Sequence, residues 1–216
     1  MTTPPVRFRV LDDFLEEEAW TEVWTHLQFE ELHPVTRTSG AWKLEDGVPF
    51  GGQEIVAPNP DAEPKKEQPG STEGAALRGV LEALLAAPQT WKDIVGDDWQ
   101  TVTARSYVYP RGSALSWHSD DTERFAGAFV YYASPRWNAH WGGELLLADG
   151  DPEQMMGYRF ETEAYSEQLM ELGTGRFVAP KPNRLVVLGS VPHAVAPVRD
   201  AAGEAVRASV SGFFVR

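Results

Sequence analysis

Hydrophobic positions change their period about halfway along the chain. In the first part Phe14, Leu15, Val23, Trp24 and Leu27 recur at helical spacing, which predicts a helix over Phe14–Leu27 with one buried face. Asp12 or Asp13 is its expected N-cap, and Glu16, Glu17 and Glu18 place negative charge in the first turns, where the helix dipole favours it. The alternating run Val6–Val10 ahead of it reads as a short strand. A second helix opens at Ser71-Thr72-Glu73 and carries Leu77, Val80, Leu81, Leu84 and Leu85 as its apolar stripe, with Pro88 as its breaker. Trp91–Val95 adds a turn stopped by Gly96. Between the helices, Thr36–Gly70 holds Pro49, Pro58, Pro60, Pro64, Pro69 and the Gly51-Gly52 pair, which is loop composition. A loop of this length is either a lid, with Trp42, Val48 and Phe50 closing over a pocket, or a surface excursion that packs a tryptophan.

From Trp99 onward the period shortens. Val102–Val108, Phe125–Ala133, Glu144–Ala148, Arg184–Leu188 and Val206–Val215 are short runs of β-branched and aromatic residues separated by Gly, Pro, Asn and Asp. That is the pattern of a β-sandwich or barrel. The insertion Asp149–Pro182 interrupts it, with a short helix expected over Ala164–Leu172. The expected organisation is a single domain over residues 1–216. A helical preface, 1–98, contains the loop 36–70, and a β-core, 99–216, contains the insertion 149–182.

Composition narrows the classes. The chain has 216 residues, of which 42% are hydrophobic and eight are Trp, enough material for one real core. It has no cysteine, which excludes disulfides and thiolate metal sites and fits a cytoplasmic setting. The net charge is −13, and no run of Lys or Arg is longer than Lys65-Lys66, which argues against a nucleic-acid partner. No apolar stretch approaches the roughly 20 residues needed to span a bilayer. Met1–Val10 lacks the apolar core of a secretory signal.

The candidate chemistry begins with His118 and Asp120. Alternate residues of a strand share a face, so a His-x-Asp pair at a strand end presents two ligands to one point. His193, stiffened by Pro192, is the natural third ligand. Two imidazoles and one carboxylate are the facial ligand set of non-haem Fe(II) oxygenases, which leaves three positions open on the metal. Alone, the pair is equally a surface feature. The second element is Arg207: on a strand over Val206–Val215 it shares a face with Ser209, Ser211 and Phe213. An arginine inside a core is costly unless paired, and an anionic ligand, such as the distal carboxylate of an oxo-acid, would remove the problem. A solvent-exposed face or an internal Glu partner is the competing explanation.

Taken together, these residues resemble a known family. Tyr109-Pro110, Trp117-His118-Ser119-Asp120, Val130-Tyr131-Tyr132, Gly142-Gly143-Glu144-Leu145, Asn183 to Leu188, Pro192-His193-Ala194-Val195 and Arg207-Ala208-Ser209 are similar, in order and spacing, to the Fe(II)- and 2-oxoglutarate-dependent dioxygenases of the prolyl-4-hydroxylase-like branch. The resemblance implies a mainly β fold: a double-stranded β-helix, or jelly roll, with the N-terminal helices packed on its major sheet. It implies Fe(II) at His118, Asp120 and His193, and 2-oxoglutarate at Arg207 with Ser209, Tyr109 and Tyr132. Tyr131 stays open as an alternative to Tyr132, and Arg199 as a weaker rival to Arg207.

The resemblance also implies O2 as co-substrate, release of succinate and CO2, and stimulation by ascorbate. Related halogenases replace the carboxylate ligand with a small residue, so Asp120 argues for hydroxylation. The expected partner is a small molecule, an amino acid or a peptide, with no nucleic acid and no membrane; the oligomeric state stays open. Trp42, Trp137 and His140 are candidate substrate contacts, although His140, between aromatic residues, reads first as a packed loop residue. Two rivals remain: a cupin-like metalloenzyme that adds His140 to His118, Asp120 and His193 and uses no oxo-acid, and a barrel that binds without turnover.

Overall fold

The β-branched runs after Trp99 pair as antiparallel strands in two facing sheets. The computed structural model describes residues 8–35, 47–61, 74–120, 123–149 and 163–216. The larger sheet has the order β1-β10-β7-β12-β5-β3-β2, with β4 also on β5. Its strands are β1 (Phe8–Leu11), β2 (His33–Pro34), β3 (Phe50–Gly51), β4 (Ile55–Pro58), β5 (Thr101–Tyr109), β7 (Phe125–Tyr132), β10 (Arg184–Leu188) and β12 (Arg207–Val215). The smaller sheet has the order β6-β11-β8-β9, from β6 (Leu115–His118), β8 (Leu145–Ala148), β9 (Gly175–Val178) and β11 (His193–Val195). The jelly-roll expectation is met.

The helices α1 (Glu17–Phe29), α2 (Ala75–Leu85) and α3 (Lys92–Val95) pack on the outer face of the larger sheet. Val23 and Leu27 of α1 and Leu77, Val80, Leu81 and Leu84 of α2 bury against Val102, Ala104, Phe129, Tyr131, Val210 and Phe214. Trp91, Trp99 and Phe214 form an aromatic knot in this layer, with ring centroids 5.0–5.6 Å apart. Leu85, expected in the buried stripe, is only half-buried. Gly96, at φ 77°, closes α3 as expected.

Several boundaries differ from the sequence reading. The first helix starts at Glu17, with Glu16 in the cap position, and neither Asp12 nor Asp13 caps it. The backbone of Phe14 and Leu15 is bonded elsewhere: Phe14 N donates to Asn183 O and Leu15 N to Asn183 Oδ1. Asp13 takes φ 52°, and Asp12 pairs with Arg184 and Lys181. The first strand is Phe8–Leu11, and residues 6–7 of the expected strand lie outside the described residues.

The region read as one loop contributes β3 and β4 to the sheet, because Phe50–Gly51 and Ile55–Pro58 both find β5 as a hydrogen-bonding edge. Pro58, unable to donate, sits at the end of β4. Residues 36–46, with Trp42, and 62–73, with the expected start of the second helix, lie outside the described residues. The insertion carries α4 (Glu163–Leu172), close to the expected helix, and β9, which was not anticipated. Among the described residues no helix is long and apolar enough to cross a membrane.

Candidate active site

The ends of β6 and β11 meet where the two sheets open to solvent. His118 and His193 are direct cross-strand partners, with ring centroids 4.1 Å apart. Each uses the same device: Nδ1 lies 2.8 Å from the carbonyl two residues earlier, Ser116 O for His118 and Val191 O for His193. A carbonyl only accepts, so each Nδ1 carries the proton and each Nε2 is left as the electron-pair donor. The two Nε2 atoms lie 3.9 and 3.8 Å from the two oxygens of Asp120. One atom from each residue falls within 4.8 Å of the others, the spacing of ligands about a single ion. Both histidines are buried and Asp120 is half-buried. Two imidazoles and a carboxylate are an acceptable donor set for a divalent first-row metal.

Deeper in the same cavity, of about 390 Å³, lies Arg207. It is 2% exposed. Its Nε donates to Gly143 O at 2.8 Å and Nη1 to Ser209 Oγ at 3.3 Å. The guanidinium is sandwiched between Tyr109 and Tyr132, 5.1 and 4.9 Å from their ring centres. Burial raises both phenol pKa values, opposed by the positive charge of Arg207. Both tyrosines are therefore neutral O–H donors across the ordinary pH range, and among the described residues the Tyr132 hydroxyl, beside the Arg207 guanidinium, makes no hydrogen bond of ordinary geometry. Gly142 and Gly143 take φ 76° and 73°, and a Cβ on Gly143 would meet Arg207 Cδ at 2.9 Å. A side chain at Gly143 is thus excluded both by backbone and by the arginine it holds.

The strand register separates the neighbouring tyrosines. Tyr132 pairs with Ser209 and faces the cavity side with Arg207. Tyr131 points to the helical layer, where its hydroxyl donates to Asn183 Oδ1 at 2.9 Å. Arg199 is exposed and lies outside the cavity.

Neither Trp137 nor His140 lines the cavity, although Trp137 packs against the cluster that includes Tyr109 and Val195. Trp137 packs edge-on against Trp141 and donates to Gly142 O, and His140 is exposed on a 3-10 turn over 139–141. Trp42 lies outside the described residues. Sequence reasoning missed Tyr107, Leu115, Arg124 and Phe125, all of which line the cavity. Tyr107 was within reach, since it precedes Tyr109 by two on one strand and shares its face. Arg124 and Phe125 carry no comparable signal.

A jelly roll with a His/Asp cluster at its mouth and a buried arginine beneath defines a class of metal- and oxo-acid-dependent enzymes. Residues 104–215 match the family model of the 2OG-Fe(II) oxygenase superfamily, and the chain belongs to that superfamily. Its cofactor chemistry is accordingly that of Fe(II), 2-oxoglutarate and O2.

No curated protein matches the chain significantly. Among solved structures, it is similar to a Pseudomonas putida prolyl-4-hydroxylase, at 22% identity over 98% of this chain and 93% of that one, with a TM-score of 0.61. It is also similar to a Trichoplax adhaerens prolyl hydroxylase in complex with a hypoxia inducible factor oxygen degradation domain peptide fragment, at 16% identity over 97% and 83%, TM-score 0.61. A third is HygX from Streptomyces hygroscopicus with nickel and 2-oxoglutarate bound, at 12% identity over 96% and 82%, TM-score 0.56. At these identities the likeness concerns the fold, which is prolyl-4-hydroxylase-like.

Proposed function

We propose that His118, Asp120 and His193 hold the Fe(II), and that Arg207 anchors the distal carboxylate of 2-oxoglutarate with Ser209, Tyr109 and Tyr132 around it. The reaction is hydroxylation of an unactivated C–H bond in an amino acid, a peptide or protein side chain, or a small metabolite, with release of succinate and CO2. The observation that carries this reading is Arg207: a buried guanidinium lining the cavity of the His/Asp cluster, with no carboxylate partner among the described residues. Burying an unpaired charge costs several kcal/mol, and a carboxylate bound through two parallel hydrogen bonds offsets that cost.

When bound, the metal supplies the activation of dioxygen that couples loss of CO2 from the oxo-acid to oxidation of the substrate. The chain contributes position and exclusion of water. The Ser116 and Val191 carbonyls fix the imidazole tautomers, so both rings are ready as ligands before metal arrives. Gly143 O and Ser209 Oγ orient the guanidinium, and the two tyrosine rings keep water from it. Asp120 supplies the carboxylate that supports hydroxylation over halogenation. The preface 1–98 and the core 99–216 act as one domain in this reading, and ascorbate is expected to stimulate turnover. The cysteine-free composition favours a cytoplasmic setting. The cupin-like alternative gains no support, because His140 stands apart from the cluster.

The test is anaerobic. Wild-type protein given Fe(II) and 2-oxoglutarate is expected to develop a visible charge-transfer band, and His193→Ala is expected to lose both iron and band. A wild-type protein with iron bound but no band would count against the oxo-acid assignment.

A further inference from the structure

The cavity has a second guanidinium, at the opposite end from Arg207. Burial falls along β12 from Arg207 and Ser209, both buried, to Ser211 and Phe213, both half-exposed, so the strand runs from the floor to the mouth. At the mouth Phe213 stacks on Phe125, with ring centroids 4.3 Å apart and planes 23° apart. Arg124 lies over the Phe125 ring, its guanidinium carbon 5.0 Å from the ring centre. All three residues line the cavity that contains His118, Asp120 and His193.

Arg124 is exposed, yet its backbone is held. Its carbonyl accepts from Arg216 N at 2.9 Å, and the Phe125 carbonyl accepts from Arg216 Nη1 at 2.6 Å, which ties this end of β7 to the end of β12. Among the described residues no carboxylate pairs with Arg124. Stacking on a ring face occupies the plane of a guanidinium and leaves its edge donors free, so the group stays able to grip a carboxylate with two parallel hydrogen bonds. The chain as a whole carries a net charge of −13. The overall field disfavours anions at long range, but salt screens it within roughly 8 Å, and at contact the nearest charge decides.

We propose that Arg124 receives a carboxylate of the substrate while the substrate's carbon skeleton lies on the Phe125–Phe213 stack. The substrate class is then a carboxylic acid with an apolar body: an N-acylated or free amino acid, or the C-terminal residue of a short peptide. An internal peptide segment without an acidic side chain, or an uncharged metabolite, lacks the group that Arg124 selects. The oxo-acid is directed to the other arginine, because Arg207 is the desolvated one and gains most from a counter-ion. This proposal rests on the reading of His118, Asp120 and His193 as the iron site.

The probes are N-acetylated apolar amino acids, each matched with its primary amide, given to the iron-loaded protein with 2-oxoglutarate and O2. Succinate formation above the substrate-free rate is the readout. The acids are expected to stimulate it with a kcat/KM about tenfold or more above their amides, the worth of one charge-assisted hydrogen bond. Arg124→Gln is expected to abolish that acid-to-amide ratio through KM, and Arg124→Lys to keep part of it. Equal stimulation by acids and amides, no stimulation by any acid, or an unchanged ratio in Arg124→Gln would overturn the proposal. Failure of the underlying reading is seen separately, as absence of the anaerobic charge-transfer band in the wild-type protein before any probe is added.

Discussion

The two faces of β12 are built from alternate residues of one nine-residue strand and do opposite work. One face sends Ala208, Val210 and Phe214 into the helical layer, among buried and partly buried apolar residues. The other sends Arg207, Ser209, Ser211 and Phe213 to the cavity, with the buried charge of Arg207 at its floor. β7 repeats the division, with Tyr131 tied to Asn183 on one side and Tyr132 beside Arg207 on the other. A period of two is enough to keep stability and chemistry on separate sides of one sheet. Substitutions on the two faces should therefore fail in different assays.

The largest expected effect is on the cavity face. Arg207→Met removes the charge but keeps volume; succinate formation at limiting 2-oxoglutarate is expected to fall at least about a hundredfold, the equivalent of two charge-assisted hydrogen bonds. Its thermal midpoint is expected to equal or exceed that of the wild type, because an unpaired buried cation is removed. An unchanged KM for 2-oxoglutarate with a lowered midpoint would reverse the assignment of this face.

Phe214→Ala, on the opposite face, empties the centre of the Trp91–Trp99 knot. It is expected to cost about 3–5 kcal/mol in urea unfolding. The KM for 2-oxoglutarate of the protein that remains folded should not change.

The adjacent tyrosines give the sharpest contrast at smaller scale. Tyr131→Phe loses the hydrogen bond to Asn183 and is expected to cost about 1 kcal/mol of stability with no kinetic effect. Tyr132→Phe removes a hydroxyl that makes no hydrogen bond of ordinary geometry among the described residues, so stability should hold while the KM for 2-oxoglutarate rises. Equal behaviour of the two variants would erase the division.

The smallest effect lies outside both faces. Arg184 first, and then Lys181, hold the Asp12 carboxyl at about 2, below its ordinary 3.8. A carboxylate with a depressed folded pKa contributes stability above its unfolded value and loses it as pH falls through the folded one. Asp12→Asn should therefore flatten the acid unfolding curve between pH 3.8 and about 2. The effect is small because the carboxyl is partly exposed and the pair is screened.

Much of this was legible from residue order, for identifiable reasons. The core strands could be read because β-branched runs between turn residues have few other uses, and the His/Asp/His set because its motifs come in one order. The start of α1 was misread because Phe14 and Leu15 fall at helical spacing while Asn183, remote in sequence, holds their backbone in another conformation. The choice between Tyr131 and Tyr132 needed the pairing of β7 with β12, where one residue of slip exchanges the faces. β3 and β4 were hidden by proline and glycine, since their existence depends on β5 offering an edge. Arg124 could not have been singled out: nothing in a polar stretch distinguishes an arginine that faces a cavity from one that faces water. Trp137 and His140 drew attention through composition; neither lines the cavity, and Trp137 packs behind it against the cluster that holds Tyr109 and Val195.

The pairing of His118 with His193 has a consequence for assembly. The two residues close a loop that contains β7, β8, α4, β9 and β10, so the cluster exists only after most of the barrel has joined. A cation seated between them would be a clasp across that closure, absent from the unfolded chain. Its binding energy would then add to folding by mass action, rising with the logarithm of free metal concentration. The protein should be hardest to unfold when loaded, and stripping it of metal should loosen the mouth of the barrel before the layer beneath the helices.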